Sequence, residues 1–284
     1  MHWALWTLTI VMPLALGVET QEYTAKEDII RSIPFPGSGA SRTLAVDNIR
    51  GSIDVVGYDG DKLELVAHRT SYGDTEKKLE EAKKNITLDV SQDSGRIVLY
   101  VRTPWRYENS SGSHIHEDDE GYDAEFNFEL KVPSRTDCIL KTVNGGSISV
   151  SGMTGTFEVR NVNGGIAMTR IAGSGSAKTV NGNVKVDFRE NPASRCGFAT
   201  INGSIDVTLD RNLSADFRFK TFNGEVYSDF EFTGLPHDSP SSERFGRRTV
   251  YHGNDYTRVR AGNGGPRLDF ETLNGDIHIL KNHQ

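Results

Sequence analysis

Cysteine, basic excess and long apolar runs are all scarce in this chain, and each scarcity narrows what it can be. Two cysteines in 284 residues leave room for one disulfide at most. Lys and Arg number 32 against 39 Asp and Glu, a net charge of −7, so the basic balance that general nucleic-acid binding calls for is missing. The one long apolar run, Trp3 to Leu16, holds no acidic or basic side chain and is too short to span a bilayer comfortably. It reads as a secretory signal cut after Gly17, with small residues at Ala15 and Gly17, although its n-region offers only the amino terminus and His2. An uncleaved anchor is the alternative. No cysteine follows the run, so a lipoprotein signal is absent, and no transmembrane segment is expected in the mature chain. No Ser-His-Asp order, phosphate-binding loop or cysteine-nucleophile motif rises above chance.

What the chain has in quantity is glycine, 29 residues of it, and repetition. Thr142-Val143-Asn144-Gly145 returns around Asn163, Asn181, Asn202, Asn223 and Asn274, each followed by Gly. The first five copies stand near twenty residues apart, and one long insertion precedes the sixth. A fixed period of that length is the mark of stacked repeats. Aligned on the Asn, the position six before it reads Cys138, Phe157, Gly175, Cys196, Phe217 and Leu268. Four before it stand Leu140, Val159, Ala177, Phe198, Phe219 and Phe270, and one before it Val143, Val162, Val180, Ile201, Phe222 and Leu273. These three apolar columns are expected to be interior. The column three before the Asn, which reads Lys141, Arg160, Lys178, Ala199, Lys220 and Glu271, is expected to face water. After the corner, alternation resumes with Ile166, Val184, Ile205, Val226 and Ile277, so each repeat is a strand, an Asn-Gly corner and a second strand.

Two all-β architectures suit this pattern. Asn-Gly between alternating strands also makes hairpins, and six hairpins make a meander or a barrel. Recurrence of Thr two before the Asn in five of six copies favours a β-solenoid, in which like Asn and Thr side chains form ladders up the stack. In that register Cys138 and Cys196 lie three rungs apart, about 14 Å, which is too far for a disulfide. Two buried free thiols are expected.

The chain divides into the signal at 1–17, a lead-in at 18–43, an N-terminal β region at 44–136, and the repeat region at 137–284 with an insertion at 234–255. Leu44 to Val56 matches Cys196 to Thr208, with Arg50 in the Asn position, and reads as a degenerate opening rung. Lys62 to Ala67 and Arg96 to Val101 read as strands, and Thr75 to Lys84 as a short helix. Trp105 to Asp123 reads as an acidic surface loop, and Gly234 to Asp255 as a protruding hairpin or loop.

The opening Leu44-Ala45-Val46-Asp47-Asn48-Ile49-Arg50-Gly51-Ser52-Ile53-Asp54-Val55, the Thr-x-Asn-Gly copies and the closing Gly264-Gly265-Pro266-Arg267-Leu268 before Thr272-Leu273-Asn274-Gly275 carry a resemblance. From about Ile33 to Lys281 the chain resembles the DUF4097 family of bacterial candidate adhesins, built of β-strand repeats. The resemblance implies an exported β-solenoid, periplasmic, cell-surface or extracellular, without catalytic residues or cofactor to carry over.

His114 and His116 beside Glu117 to Glu120 are weighed as a divalent-cation site and read as a solvated acidic loop, so no metal is expected. Asp187, Asp206 and Asp229 fall at differing phases of the repeat and do not converge as a glycosidase pair would. The most specific functional feature is the outward row Lys141, Arg160, Lys178 and Lys220, a basic stripe on an acidic protein, broken at Ala199. It suits an acidic glycan or an envelope protein as partner. The expected function is a non-enzymatic envelope-binding protein, monomeric, or dimeric through the edge of its last strand, Asp276 to Lys281. A carbohydrate-active β-helix enzyme and a structural or signalling module are the alternatives.

Overall fold

In the computed structural model, which describes residues 22–36, 41–109, 112–115, 121–236, 241–245, 248–252 and 256–282, period-two alternation becomes strands throughout. The chain opens with β1 (Tyr23–Pro34), β2 (Thr43–Asp47), β3 (Ile53–Tyr58) and β4 (Lys62–Gly73). Helix α1 (Glu76–Asn85) follows, then β5 (Thr87–Asp93), β6 (Arg96–Arg102), the hairpin β7 (Arg106–Asn109) and β8 (Gly112–Ile115), and β9 (Tyr122–Pro133). The next copies contribute β10 (Asp137–Lys141) with β11 (Ile148–Ser151), β12 (Phe157–Arg160) with β13 (Ile166–Ile171), and β14 (Gly175–Lys178) with β15 (Val184–Phe188). They continue with β16 (Cys196–Ala199) and β17 (Ile205–Leu209), then β18 (Ala215–Lys220) and β19 (Val226–Ser228). Next come β20 (Thr233–Gly234), the hairpin β21 (Ser241–Phe245) and β22 (Arg248–His252), and β23 (Thr257–Ala261). The last copy supplies β24 (Arg267–Glu271) and β25 (Ile277–Lys281).

Each repeat gives its first strand to one large sheet and its second strand to another. The ten-stranded sheet runs β1-β4-β9-β3-β11-β13-β15-β17-β25-β19, and the eleven-stranded sheet runs β20-β23-β18-β24-β16-β14-β12-β10-β2-β6-β5. Within the repeats the pairing is parallel and like phase meets like phase, as in Cys138 opposite Phe157 and Ile148 opposite Ile166. The opening copy keeps that register, with Leu44 opposite Cys138 and Arg50 bridging to Asn144. Side chains facing the space between the sheets are buried and apolar, Leu140, Val159, Ala177, Phe198, Phe270 and Phe219 on one side and Ile148, Ile166, Val184, Ile205 and Ile277 on the other. Both cysteines are buried free thiols, and burial pushes the Cys138 thiol up to about 12, out of the range of reactive thiolates.

Helix α1 is fixed locally by the Thr75 hydroxyl, which accepts from the Lys78 amide at 3.2 Å, and by burial of Leu79 and Ala82. The insertion contains the antiparallel hairpin β21–β22, and β23, which follows it, closes the far side of β18. His116 and Glu117 to Glu120, weighed above as a cation site, lie outside the described residues, as does the 1–17 segment. Among the described residues no helix is long and apolar enough to cross a membrane.

The corner motif has a single physical explanation for each of its residues. The Asn side chains form one amide ladder: each Nδ2 donates to the Oδ1 of its neighbour at 2.7–2.8 Å, from Asn163 to Asn144, Asn181 to Asn163, Asn202 to Asn181, Asn274 to Asn202 and Asn223 to Asn274. The Thr hydroxyls do not form a ladder with one another. They donate to the glycine carbonyl of the neighbouring rung, Thr179 to Gly164, Thr200 to Gly182 and Thr272 to Gly203 at 2.8–3.1 Å. Where the Thr is missing, the Asn161 amide donates to Gly146 O instead, and Asn48 serves the opening rung. The glycines are required because rungs nearly touch: a Cβ on Gly182, Gly203 or Gly275 would stand 2.1–2.4 Å from the carbonyl oxygen of the glycine below.

Three expectations are corrected. The last copy is not the end of the stack: β24 lies between β16 and β18, and β25 between β17 and β19. At this end the ten-stranded sheet is edged by β19, and the last strand is paired on both sides, so it is not the edge expected for a dimer. Second, the column one before the Asn is not interior. Val143, Val162 and Val180 are half-buried, Ile201 and Leu273 are exposed, and Phe222 is 80% exposed. The interior position is the Thr column, because strict alternation from the two inner columns falls two before the Asn and the hydroxyl finds a carbonyl there. Third, part of the acidic loop is strand, since β7 pairs with β8 and Tyr122 and Asp123 begin β9.

Candidate functional site

The outward face of the eleven-stranded sheet carries two rows of side chains. In register, one row reads Asp47, Lys141, Arg160, Lys178, Ala199, Glu271 and Lys220. Lys141, Arg160 and Lys178 stand on successive strands, about 5 Å apart. Lys220 is set off from them by both Ala199 and Glu271, because the last copy is interposed, so the stripe has a wider gap than the repeat order alone gives. Arg160 and Lys178 are exposed and Lys141 and Lys220 half-exposed. Arg160 pairs with Glu158 at 2.8 Å, and the Lys220 ammonium lies 5.6 Å from the centre of the Tyr256 ring.

The second row, two residues earlier on each strand, reads Ile139, Glu158, Ser176, Gly197, Asp269 and Arg218. Its small members leave the sheet surface low. Two adjoining depressions result, of about 130 and 380 Å³, sharing Lys178, Arg195 and Gly197 in their lining. Arg195, from the turn before β16, donates through Nε to Asp269 Oδ2 at 2.7 Å. Arg267 Nε stands 3.3 Å and Arg218 Nε 3.9 Å from the other oxygen of the same carboxylate. Tyr256 closes one side: its hydroxyl donates to Glu271 Oε2 at 3.1 Å, its ring lies 4.2 Å from the Arg218 guanidinium carbon, and its phenol is pushed above its ordinary value, first by burial and then by Glu271.

Reading columns around the Asn singled out Lys141, Arg160, Lys178 and Lys220 but passed over Arg195, Gly197, Arg218 and Tyr256. Gly197 was visible as a gap in an outward column, since its counterparts are Ile139, Glu158, Ser176, Asp269 and Arg218. Arg195 and Tyr256 sit in a turn and just after the insertion, where no periodicity marks them. The six corner asparagines are brought together as the ladder, each at the corner three residues after the stripe position of its copy.

No family model matches the chain, and no curated protein matches it. Among solved structures, a candidate cell adhesion protein of Clostridium sporogenes is similar over 92% of this chain and 100% of its own, at 12% identity and a TM-score of 0.37. A candidate adhesin of Bacteroides fragilis is similar over 91% and 98%, at 9% identity and 0.32. A candidate lipid binding protein of Parabacteroides distasonis is similar over 90% and 96%, at 10% identity and 0.25. Likeness of this degree says nothing about ligand or activity.

Proposed function

We propose that this protein is a non-enzymatic, exported binding protein of the bacterial envelope, a two-sheet β-solenoid whose outer face holds an anionic polysaccharide, in keeping with its resemblance to the DUF4097 candidate adhesins. The observation that carries this reading is the run of Lys141, Arg160 and Lys178 at one register on three successive parallel strands, on a chain of net charge −7. A row of cations on a stiff sheet is organised before the ligand arrives, so little ordering cost falls on binding. Hydrolysis would need two carboxylates facing a sugar, and Glu158 and Asp269 are each engaged by arginine.

Binding of polygalacturonate, dextran sulfate and neutral dextran to the full protein, at low and high salt, tests it. The two acidic polymers are expected to bind and to weaken as salt screens the stripe, and dextran is expected not to bind. The triple reversal Lys141→Glu, Lys178→Glu, Lys220→Glu should weaken acidic polymer binding by about 100-fold, the product of several charge-assisted contacts. Equal binding by wild type and triple variant would exclude the stripe.

A further inference from the structure

We infer that the depression over Gly197 is a subsite for one acidic sugar unit, its charged group held between Lys178 and Arg195 and its ring lying on the bare strand. This rests on the reading of the outer face as a polysaccharide surface, and it names where along that face the ligand is gripped.

Gly197 is the first observation. It sits inside β16, where glycine weakens a strand by roughly 0.5–1 kcal/mol relative to alanine. Nothing in the fold demands it: its φ is ordinary, and an added Cβ would meet no atom within 4 Å. Gly175, opposite Cys138's neighbour Phe157 on the next strand pair, is the contrast, since its Cβ would stand 1.8 Å from Phe157 O. Gly175 is glycine because backbone crowds it, whereas Gly197 is glycine over open space. What its missing side chain leaves is the floor of the depression.

The walls are the second observation. Arg195 is pinned by Asp269, and Arg218 is laid against Tyr256, so both guanidiniums are oriented before any ligand binds. Lys178 reaches the same space from the adjoining strand. Around it the face mixes cations, among them Arg160, Lys178, Arg195, Arg218, Lys220 and Arg267, with carboxylates, among them Glu158, Asp269 and Glu271. The mixture selects the ligand's chemistry. At the subsite Asp269 and Glu271 stand beside the cations, and an acidic sugar unit presents hydroxyls that donate to carboxylates together with a charge for the cations, which a polymer without hydroxyl donors does not. The larger depression, about 380 Å³, falls within the size range of small-molecule sites.

Gly197→Trp fills the floor without touching a charge, and Arg195→Glu reverses a wall while leaving the floor open. Both are compared with wild type and with Lys185→Glu, a reversal on the opposite sheet, for affinity toward trigalacturonate and polygalacturonate. The expected result is about tenfold or greater weakening in the first two and no change in Lys185→Glu. Unchanged affinity in Gly197→Trp and Arg195→Glu, with the wild type still binding polygalacturonate, overturns the subsite and leaves the stripe standing. If wild type binds no acidic polymer, the stripe reading fails instead. Titration with monomeric galacturonate, followed through the amides of Ser176, Gly197 and Ala199, then decides the subsite alone. Saturable shifts support it and unmoved amides overturn it.

Discussion

Gly203→Ala should destabilise the protein by about 3 kcal/mol in denaturant unfolding, well beyond the effect of an ordinary glycine substitution. The added methyl would stand 2.1 Å from the Gly182 carbonyl oxygen and 2.9 Å from Asn183 Oδ1, at a residue whose φ is +156°. Neither neighbour can yield locally. The Gly182 carbonyl accepts the Thr200 hydroxyl at 2.8 Å, and Asn183 Oδ1 accepts the Ser204 amide at 2.9 Å. Relief therefore requires the rungs to part, which stretches the amide ladder between Asn181 and Asn202 as well. Gly197→Ala is the matched control, since its methyl meets nothing within 4 Å, and it should leave stability unchanged or slightly raised. A Gly203→Ala protein as stable as wild type would mean that the corners do not approach as closely as described.

Phe270→Ala should cost about 3–5 kcal/mol. Its ring is fully buried, with centroids 5.2 Å from Phe198, 6.0 Å from Phe217 and 5.4 Å from Phe219. It joins the rung before it to the rung after it, because β24 is interposed between β16 and β18. Val226→Ala on β19, the open edge, should cost under about 1 kcal/mol. Hydrogen exchange provides the second readout: Phe270→Ala should accelerate exchange across β18 and β19 together. If the last copy were merely stacked on the end, exchange would rise only in β24 and β25.

The interposed copy shows where sequence reading stops. Every first strand carries the same inward pattern, so Phe198 can meet Phe270 or Phe219 with equal propriety, and the period does not say which. The choice is made by the strand that follows the insertion. Once β23 pairs antiparallel with the far edge of β18, the only open edge for β24 lies on the other side, next to β16. The chain reaches it by passing the start of β18 through a turn in which Gly262 and Gly264 take φ of +58° and +77° and the Asp216 amide donates to Pro266 O at 3.1 Å. Such a choice depends on contacts distant in sequence. By contrast, the repeat strands, the Asn-Gly corners, the opening rung at Leu44 to Val56 and the helix after Thr75 were legible, because each is set by local alternation or capping, whereas β1, within the segment read as a lead-in, and β5 were not.

The column before the Asn teaches a narrower lesson. Val143, Ile201 and Phe222 look like core by composition, yet alternation from Leu140, Phe198 and Phe219 places the Thr inward and these residues outward. Period outweighed hydrophobicity. For the candidate site the outward row of cations was legible for the same reason, while the depression was not. It depends on what Gly197 lacks, on a turn arginine and on a tyrosine just after the insertion, none of which a repeat alignment marks.

The central functional claim is that the outward face of the eleven-stranded sheet is where an acidic polymer lies. Lysine acetylation read by mass spectrometry, with and without saturating polygalacturonate, tests it most directly. Lys141, Lys178 and Lys220 should be protected by the polymer, with Lys178 protected most, while Lys185 and Lys131 on the other sheet should react at unchanged rates. Protection of Lys185 and Lys131 with the stripe lysines unprotected would contradict the account and move the binding face to the opposite side of the molecule.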